Sequence, residues 1–211
     1  MKRAVFLAAL LVGIVWNLRL AMADLAARRN RPEETRLAMR WMPGNGAYAA
    51  QLADELYASD PVEAKSLLQK AVRLNRFDAA SWIQLGLLCE AGNDAPLAEE
   101  SLLQAARVDS TFLPSWSLAN FYFRHQQTGR FWNWAQKAAQ MAPDDATPLF
   151  RLAWYASPNA AEIESRLPGL NAMSSAWASV RADDGLCGRH DRYVAASSLC
   201  RDYGVINPPA M

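Results

Sequence analysis

Hydrophobic positions in this chain recur at steps of three and four residues over most of its length. Trp82, Leu85, Leu88 and Cys89 mark one face of a helix, and Leu97, Leu102, Ala105 and Ala106 mark a face of the next. Gly92-Asn93-Asp94 supplies the turn between them. Gly86 and Ala98 are small where two such helices would cross. Upstream, residues 33–42 predict a helix that ends at Pro43-Gly44-Asn45. Asn30 is its expected cap, Pro32 falls in its first turn, and Glu33 and Glu34 lie where the helix dipole favours acids. Downstream, 172–182 predicts a helix containing Trp177, Asp183-Asp184-Gly185 breaks it, and 189–203 predicts another with Tyr193, Val194, Ser197 and Cys200 on one face. The end, 204–211, contains Pro208-Pro209 and reads as extended. Long β-branched runs are absent, so the chain reads as all-α.

A longer period is superimposed on the helical one. Tyr48, Trp82, Trp116 and Phe150 stand 34 residues apart, and Ala64 moves with Ala98, Leu68 with Leu102, and Ala71 with Ala105. This pattern resembles the tetratricopeptide repeat, a helix–turn–helix unit that stacks into a right-handed superhelix. The resemblance divides a repeat region at 24–170 into a half unit at 31–43, units at 45–78, 79–112 and 113–146, and a degenerate unit at 147–170, followed by C-terminal capping helices and a tail at 171–211. The third unit departs from the pattern: Asn120 replaces the glycine found at Gly86, and Ala138 follows Ala105 by 33 residues rather than 34. In the fourth, Pro158 ends the first helix and 162–167 makes a short second one. Neither helix of a unit can bury its apolar face alone, so each unit needs neighbours.

The first 23 residues read as a signal-anchor or a signal peptide. Lys2 and Arg3 precede an uncharged stretch, 4–18, and Ala21-Met22-Ala23 has the small-residue spacing of a cleavage site. Fifteen residues are short for a span of about 20, but Arg19 can snorkel and let 20–23 complete the length. The helix at 33–42 decides in favour of the anchor. It needs a partner, the only candidate is the continuation of the apolar helix through Ala26 and Arg28, and cleavage after Ala23 would remove it. Orientation is contested by Arg19, Arg28, Arg29 and Arg31, which follow the segment and would favour a cytoplasmic bulk. The signal-like layout favours the periplasmic face of a bacterial inner membrane.

The chain has 211 residues, 52% apolar and 20% charged, which suits one packed domain with an appendage. A net charge of +1 argues against non-specific nucleic-acid binding. Enzyme chemistry finds little support. His125 reads as a solvated turn residue beside Arg124, and His190, near Cys187 and Asp191, has no local signature of nucleophilic catalysis. No zinc spacing or phosphate loop is present, and no cofactor is expected. The pairs Glu33-Glu34, Glu99-Glu100 and Asp144-Asp145 lie near helix starts, where solvation and the dipole account for them. Cys89 reads as a small core residue. Cys187 and Cys200 could pair in an oxidising compartment, although a helix across 190–203 would hold the sulfurs apart.

A binding role remains. In proteins of the resembled family the first helices of successive units line a concave face that holds a peptide or a partner helix. Carried onto this chain, that face comprises Ala49, Ala53 and Tyr57 in the first unit, Ile83, Leu87 and Glu90 in the second, and Ser117, Phe121 and Arg124 in the third. The Lys and Asn that clamp a C-terminal carboxylate in some family members are missing at these positions. A mostly apolar groove rimmed by Tyr57, Glu90 and Arg124 suits an amphipathic helix or an apolar segment. Trp82 and Trp116 are expected in the core. Phe131-Trp132-Asn133-Trp134 cannot place all its rings on one side of a helix, so at least one ring is partly exposed or covered by the C-terminal helices, and Trp132 and Trp134 are the candidates for an exposed patch. The expectation is therefore a non-enzymatic, membrane-tethered adaptor, with a role in envelope or polysaccharide assembly by analogy of fold. The alternatives are a carbohydrate-binding accessory that uses the exposed tryptophans, or a subunit of a membrane enzyme complex.

Overall fold

The computed structural model describes residues 2–142 and 147–167. Among these residues the chain is helical and carries no strand. It falls into two compact units, Met1–Leu88 and Cys89–Met211. The expected capping helices, Trp177, Cys187, His190 and Cys200 lie outside the described residues, as do Asp144 and Asp145.

Unit 1 begins with α1, Lys2–Ala27, followed by α2, Pro32–Trp41; α3, Gly46–Leu56; and α4, Pro61–Leu74. α5, Ala79–Ala91, carries the boundary between the units. At 1.5 Å per residue, α1 is about 39 Å long. Most of it touches nothing: Val5 is 70% exposed and Phe6 67%. Only its last turns pack. Ala23, Ala26 and Ala27 are buried in one cluster with Ala38 of α2 and Tyr48 of α3, with Met39, Trp41 and Met42 around it. Alanine at each crossing position lets the helix axes approach closely. The expected pairing of α2 with the continuation of the apolar helix is thus present. Val5–Ala27 is long and apolar enough to cross a membrane, a property that a signal sequence shares.

Polar groups close the ends. Arg19 Nη2 donates to the Trp41 carbonyl at 3.0 Å, capping the end of α2 from α1. The expected cap at Asn30 is corrected. Arg31 is the N-cap and makes no side-chain capping bond, while Asn30 takes φ 49° in the turn between α1 and α2. That left-handed conformation suits asparagine, and its Oδ1 accepts from Gln51 Nε2 at 2.9 Å. Gln51 also donates to the Ala27 carbonyl at 2.7 Å and to Glu55 Oε1 at 3.0 Å, and Thr35 Oγ1 donates to the same oxygen at 2.7 Å. The end of α1 is therefore fastened to α3 as well as to α2.

Repeated caps start the later helices. Asn45 Oδ1 accepts from Ala47 N at 3.0 Å, Asp60 Oδ1 from Glu63 N at 2.9 Å, and Asp94 Oδ1 from Leu97 N at 3.4 Å. Pro61 stands in the first turn of α4, where its missing N–H costs nothing. α3 and α4 approach closely at Gly46, where an added Cβ would come within 3.0 Å of the Ala71 carbonyl and 3.4 Å of Leu74 Cβ.

Unit 2 continues with α6, Ala95–Val108; α7, Phe112–Arg124; α8, Thr128–Gln140; α9, Thr147–Ala156; and α10, Ala160–Arg166. Its packing is dominated by bulk. Trp116, Phe121, Tyr122, Phe131 and Trp132 are buried, with Leu118, Leu149 and Leu152. Phe131 meets Trp132 edge-on at 4.9 Å and Phe123 at 5.8 Å, separations at which aromatic pairs gain beyond their area. Ala135 and Ala138 are fully buried on α8. Asn120, 34 residues after Gly86, is buried and satisfies itself by donating to the Trp116 carbonyl at 2.9 Å.

Candidate functional site

The residues nominated for a binding face separate into packed and accessible sets. In unit 1, Ala49, Ala53 and Ile83 are buried, while Tyr57 and Leu87 are half-buried. In unit 2, Ser117 and Phe121 are buried. Ser117 Oγ donates back to the Leu113 carbonyl at 2.9 Å, so it offers no hydroxyl to a partner. This corrects the expectation that these five positions line open surface. Alanine and phenylalanine at helical spacing fill helix contacts as readily as they line a groove, and sequence spacing does not separate the two.

Glu90 and Arg124 form one motif. They stand 34 residues apart, and Arg124 reaches Glu90 through two bonds, Nε to Oε1 at 2.8 Å and Nη2 to Oε2 at 2.6 Å. The side chains are only 19% and 15% exposed. A two-point fork of this kind is short and strong, and its low exposure limits screening. His125 Nε2 lies 3.3 Å from Glu90 Oε1, and its ring rests 4.3 Å from that of Phe121. His125 was expected in solvent at a turn. It is an exposed residue in the turn after α7, as expected, and its ring reaches back to the edge of this cluster. Glu90 and Arg124 therefore hold helices together rather than standing open at a rim.

A second cluster was not legible beforehand. Tyr122 donates its phenol to Glu99 Oε1 at 2.8 Å, Arg130 Nη1 binds the same oxygen, and the Arg130 guanidinium lies 5.5 Å over the Tyr122 ring. Burial is the largest cause that raises the Tyr122 phenol, followed by the hydrogen bond and charge of Glu99, to about 12. Glu99 is thus a bridging acid, not only a dipole partner at a helix start. Its two partners lie 23 and 31 residues away, with no motif to announce them.

The tryptophans also divide. Trp116 is buried as expected, stacked at 5.8 Å on Phe112. Trp132 was a candidate for an exposed patch; it is buried, with the Arg166 guanidinium 5.1 Å over its ring, and cannot stack on a sugar. Trp134 is half-buried, and Lys137 Nζ sits 3.9 Å over its ring. Trp82, expected in the core, is half-buried, and its indole N–H donates to the Arg76 carbonyl at 3.0 Å. That bond fixes the turn between α4 and α5. A search against protein-family models and a search of curated proteins each found no match to this chain.

Proposed function

We propose that this protein is a non-enzymatic helical-repeat scaffold, tethered by α1 to the bacterial inner membrane and carrying its repeats on the periplasmic side. The observation that carries this reading is α1 itself. Its apolar length is exposed, and its last turns are buried against α2 and α3 without an intervening break. Ala23, the residue that would precede a signal-peptidase cut, lies inside the helix and at the centre of the packed cluster. Cleavage there would strip α2 of its partner and expose Ala38. The continuous helix thus supports a retained anchor over a removed signal.

The 34-residue period, the helix hairpins and the Glu90–Arg124 fork one period apart support a stacked tetratricopeptide-like array. Tyr57 and Leu87 are the half-buried members of the nominated face in unit 1 and the best positions from which a partner helix would be sensed. The experiment is a photo-crosslinking amino acid at Leu87 in the full-length protein in intact cells, with mass spectrometry of the intact chain. The expected outcome is an uncut N-terminus and a discrete protein adduct. A mature chain beginning after Ala23 would refute the anchor, and the absence of any adduct at Leu87 would refute this face.

A further inference from the structure

The ends of the unit 1 helices that lie level with Arg19 form a basic and apolar edge. Arg19 holds the end of α2 at Trp41, a short turn leads to the start of α3, and Gly46 brings that start against Ala71 and Leu74 at the end of α4. These contacts place the turns 42–45 and 75–78 on one side of the unit, the side toward which the exposed apolar length of α1 runs. Counting from Arg3 to Arg19 at 1.5 Å per residue gives about 24 Å, roughly 6 Å short of a hydrocarbon core of about 30 Å; snorkelling of Arg3 and Arg19 and local thinning of the bilayer make up that difference and set the headgroup layer at Arg19 and Trp41.

Phe77 at the α4–α5 turn is 77% exposed, and Leu74 is 43% exposed. Both would be costly in water if nothing covered them. The turn that presents Phe77 is built, not loose: Trp82 Nε1 holds the Arg76 carbonyl, and Asn75 Oδ1 accepts from Phe77 N at 3.2 Å. Arg73 and Arg76, its chain neighbours, are exposed, as is Arg40 near the end of α2. The one acid within the turn, Asp78, is occupied by the Ser81 hydroxyl at 2.6 Å. At the opposite ends of the same helices, Glu33, Glu34, Asp54, Asp60 and Glu63 are mixed with Arg28, Arg29 and Arg31. An exposed aromatic ring with neighbouring arginines, on the side of unit 1 toward which a membrane-length helix runs, matches the chemistry of an anionic headgroup layer.

We propose that the α4–α5 turn, with exposed Leu74 and Phe77 interleaved with Arg73 and Arg76 along the chain, seats on the anionic surface of the bilayer that takes α1, giving unit 1 a second membrane contact. The proposal rests on the anchored reading of α1. The contact fixes unit 1 against the membrane plane instead of leaving it to swing on one helix.

The test uses full-length protein reconstituted in phosphatidylcholine vesicles containing phosphatidylglycerol. A benzophenone amino acid replaces Val12, Phe77 or Val62 in three separate proteins. Val62 is 80% exposed at the start of α4, away from the proposed contact. Lipid adducts are expected from 12 and 77 and not from 62. In an Arg73→Glu/Arg76→Glu background, labelling at 77 should fall roughly tenfold while labelling at 12 holds. Lipid adducts at 12 without any at 77 overturn the second contact and leave the anchor standing. No adduct at 12 overturns the anchor, and the second contact with it. Equal labelling at 77 in both backgrounds overturns the anionic surface as the occupant. So does a protein adduct at 77, in place of lipid, in intact cells.

Discussion

The hairpin of α1 and α2 and the hairpin of α7 and α8 solve the same problem with opposite materials. The first is closed by alanines: Ala23, Ala26, Ala27 and Ala38 are buried, and backbone approaches backbone. The second is closed by rings, with Trp116, Phe121, Tyr122, Phe131 and Trp132 buried across its interior. An alanine seam buries little area per residue, so it depends on close fit and on polar fasteners such as Arg19 to Trp41 and Gln51 to Ala27. A ring-filled interior carries its stability in bulk and tolerates small shifts. The first should therefore fail by overpacking and the second by truncation.

Mutations in full-length protein, followed by urea unfolding in mild detergent, can break this comparison. The largest effect is expected from Phe131→Ala, which empties the centre of the α7–α8 hairpin and should cost about 4 kcal/mol. The mirror experiment is Ala38→Leu, which forces new methylenes between α1 and α2. It should cost about 2–3 kcal/mol, whereas Leu at an exposed alanine such as Ala80 should cost almost nothing. If Ala38→Leu is neutral, the seam is looser than its burial indicates.

The ring-filled hairpin also has a pH signature. Tyr122 is pushed up to about 12 by burial first and by Glu99 second. Its folded value lies above the unfolded one of about 10, so this stability is complete below pH 10 and is lost as pH rises toward 12, on the order of 2 kcal/mol. Unfolding titrated across that window should show the loss, and Tyr122→Phe should flatten it. The smallest of the stability effects is expected at the start of α4. Asp60→Ala removes the acceptor for Glu63 N and should cost about 1 kcal/mol by the same unfolding measurement. Smaller still is the response of Glu162, whose carboxyl is held low chiefly by the Ser157 hydroxyl and then by Arg166. Its contribution persists above the ordinary carboxylate range and fades as pH falls. Ser157→Ala should move the Glu162 titration upward by NMR without a measurable change in unfolding.

What could be seen in the sequence follows from distance along the chain. Helix faces and turns are local, so Trp82, Leu85 and Leu88 announced α5, and Asp60-Pro61 carries the cap and first turn of α4 on adjacent residues. The 34-residue period located Trp116 correctly in the interior. The same period misplaced Trp82, because its half-buried indole is aimed by a single carbonyl at Arg76 that no side-chain pattern encodes. Asn30 was misassigned for a related reason. Asparagine suits both a helix cap and a left-handed turn, and Gln51, 21 residues away, decides between them. The nominated binding face was the least legible part. Ala49, Ala53, Ser117 and Phe121 look alike in sequence whether a helix or a ligand covers them, and Glu90 with Arg124 look like a rim until their two bonds are seen.

Between Gly13 and Ala27, α1 contains neither glycine nor proline. A rod with no joint transmits torque. If the outer end of α1 leans to match a thicker or thinner lipid layer, the lean arrives undamped at Ala38 and Tyr48. Membrane thickness would then act as a steering angle for everything fastened to the inner end.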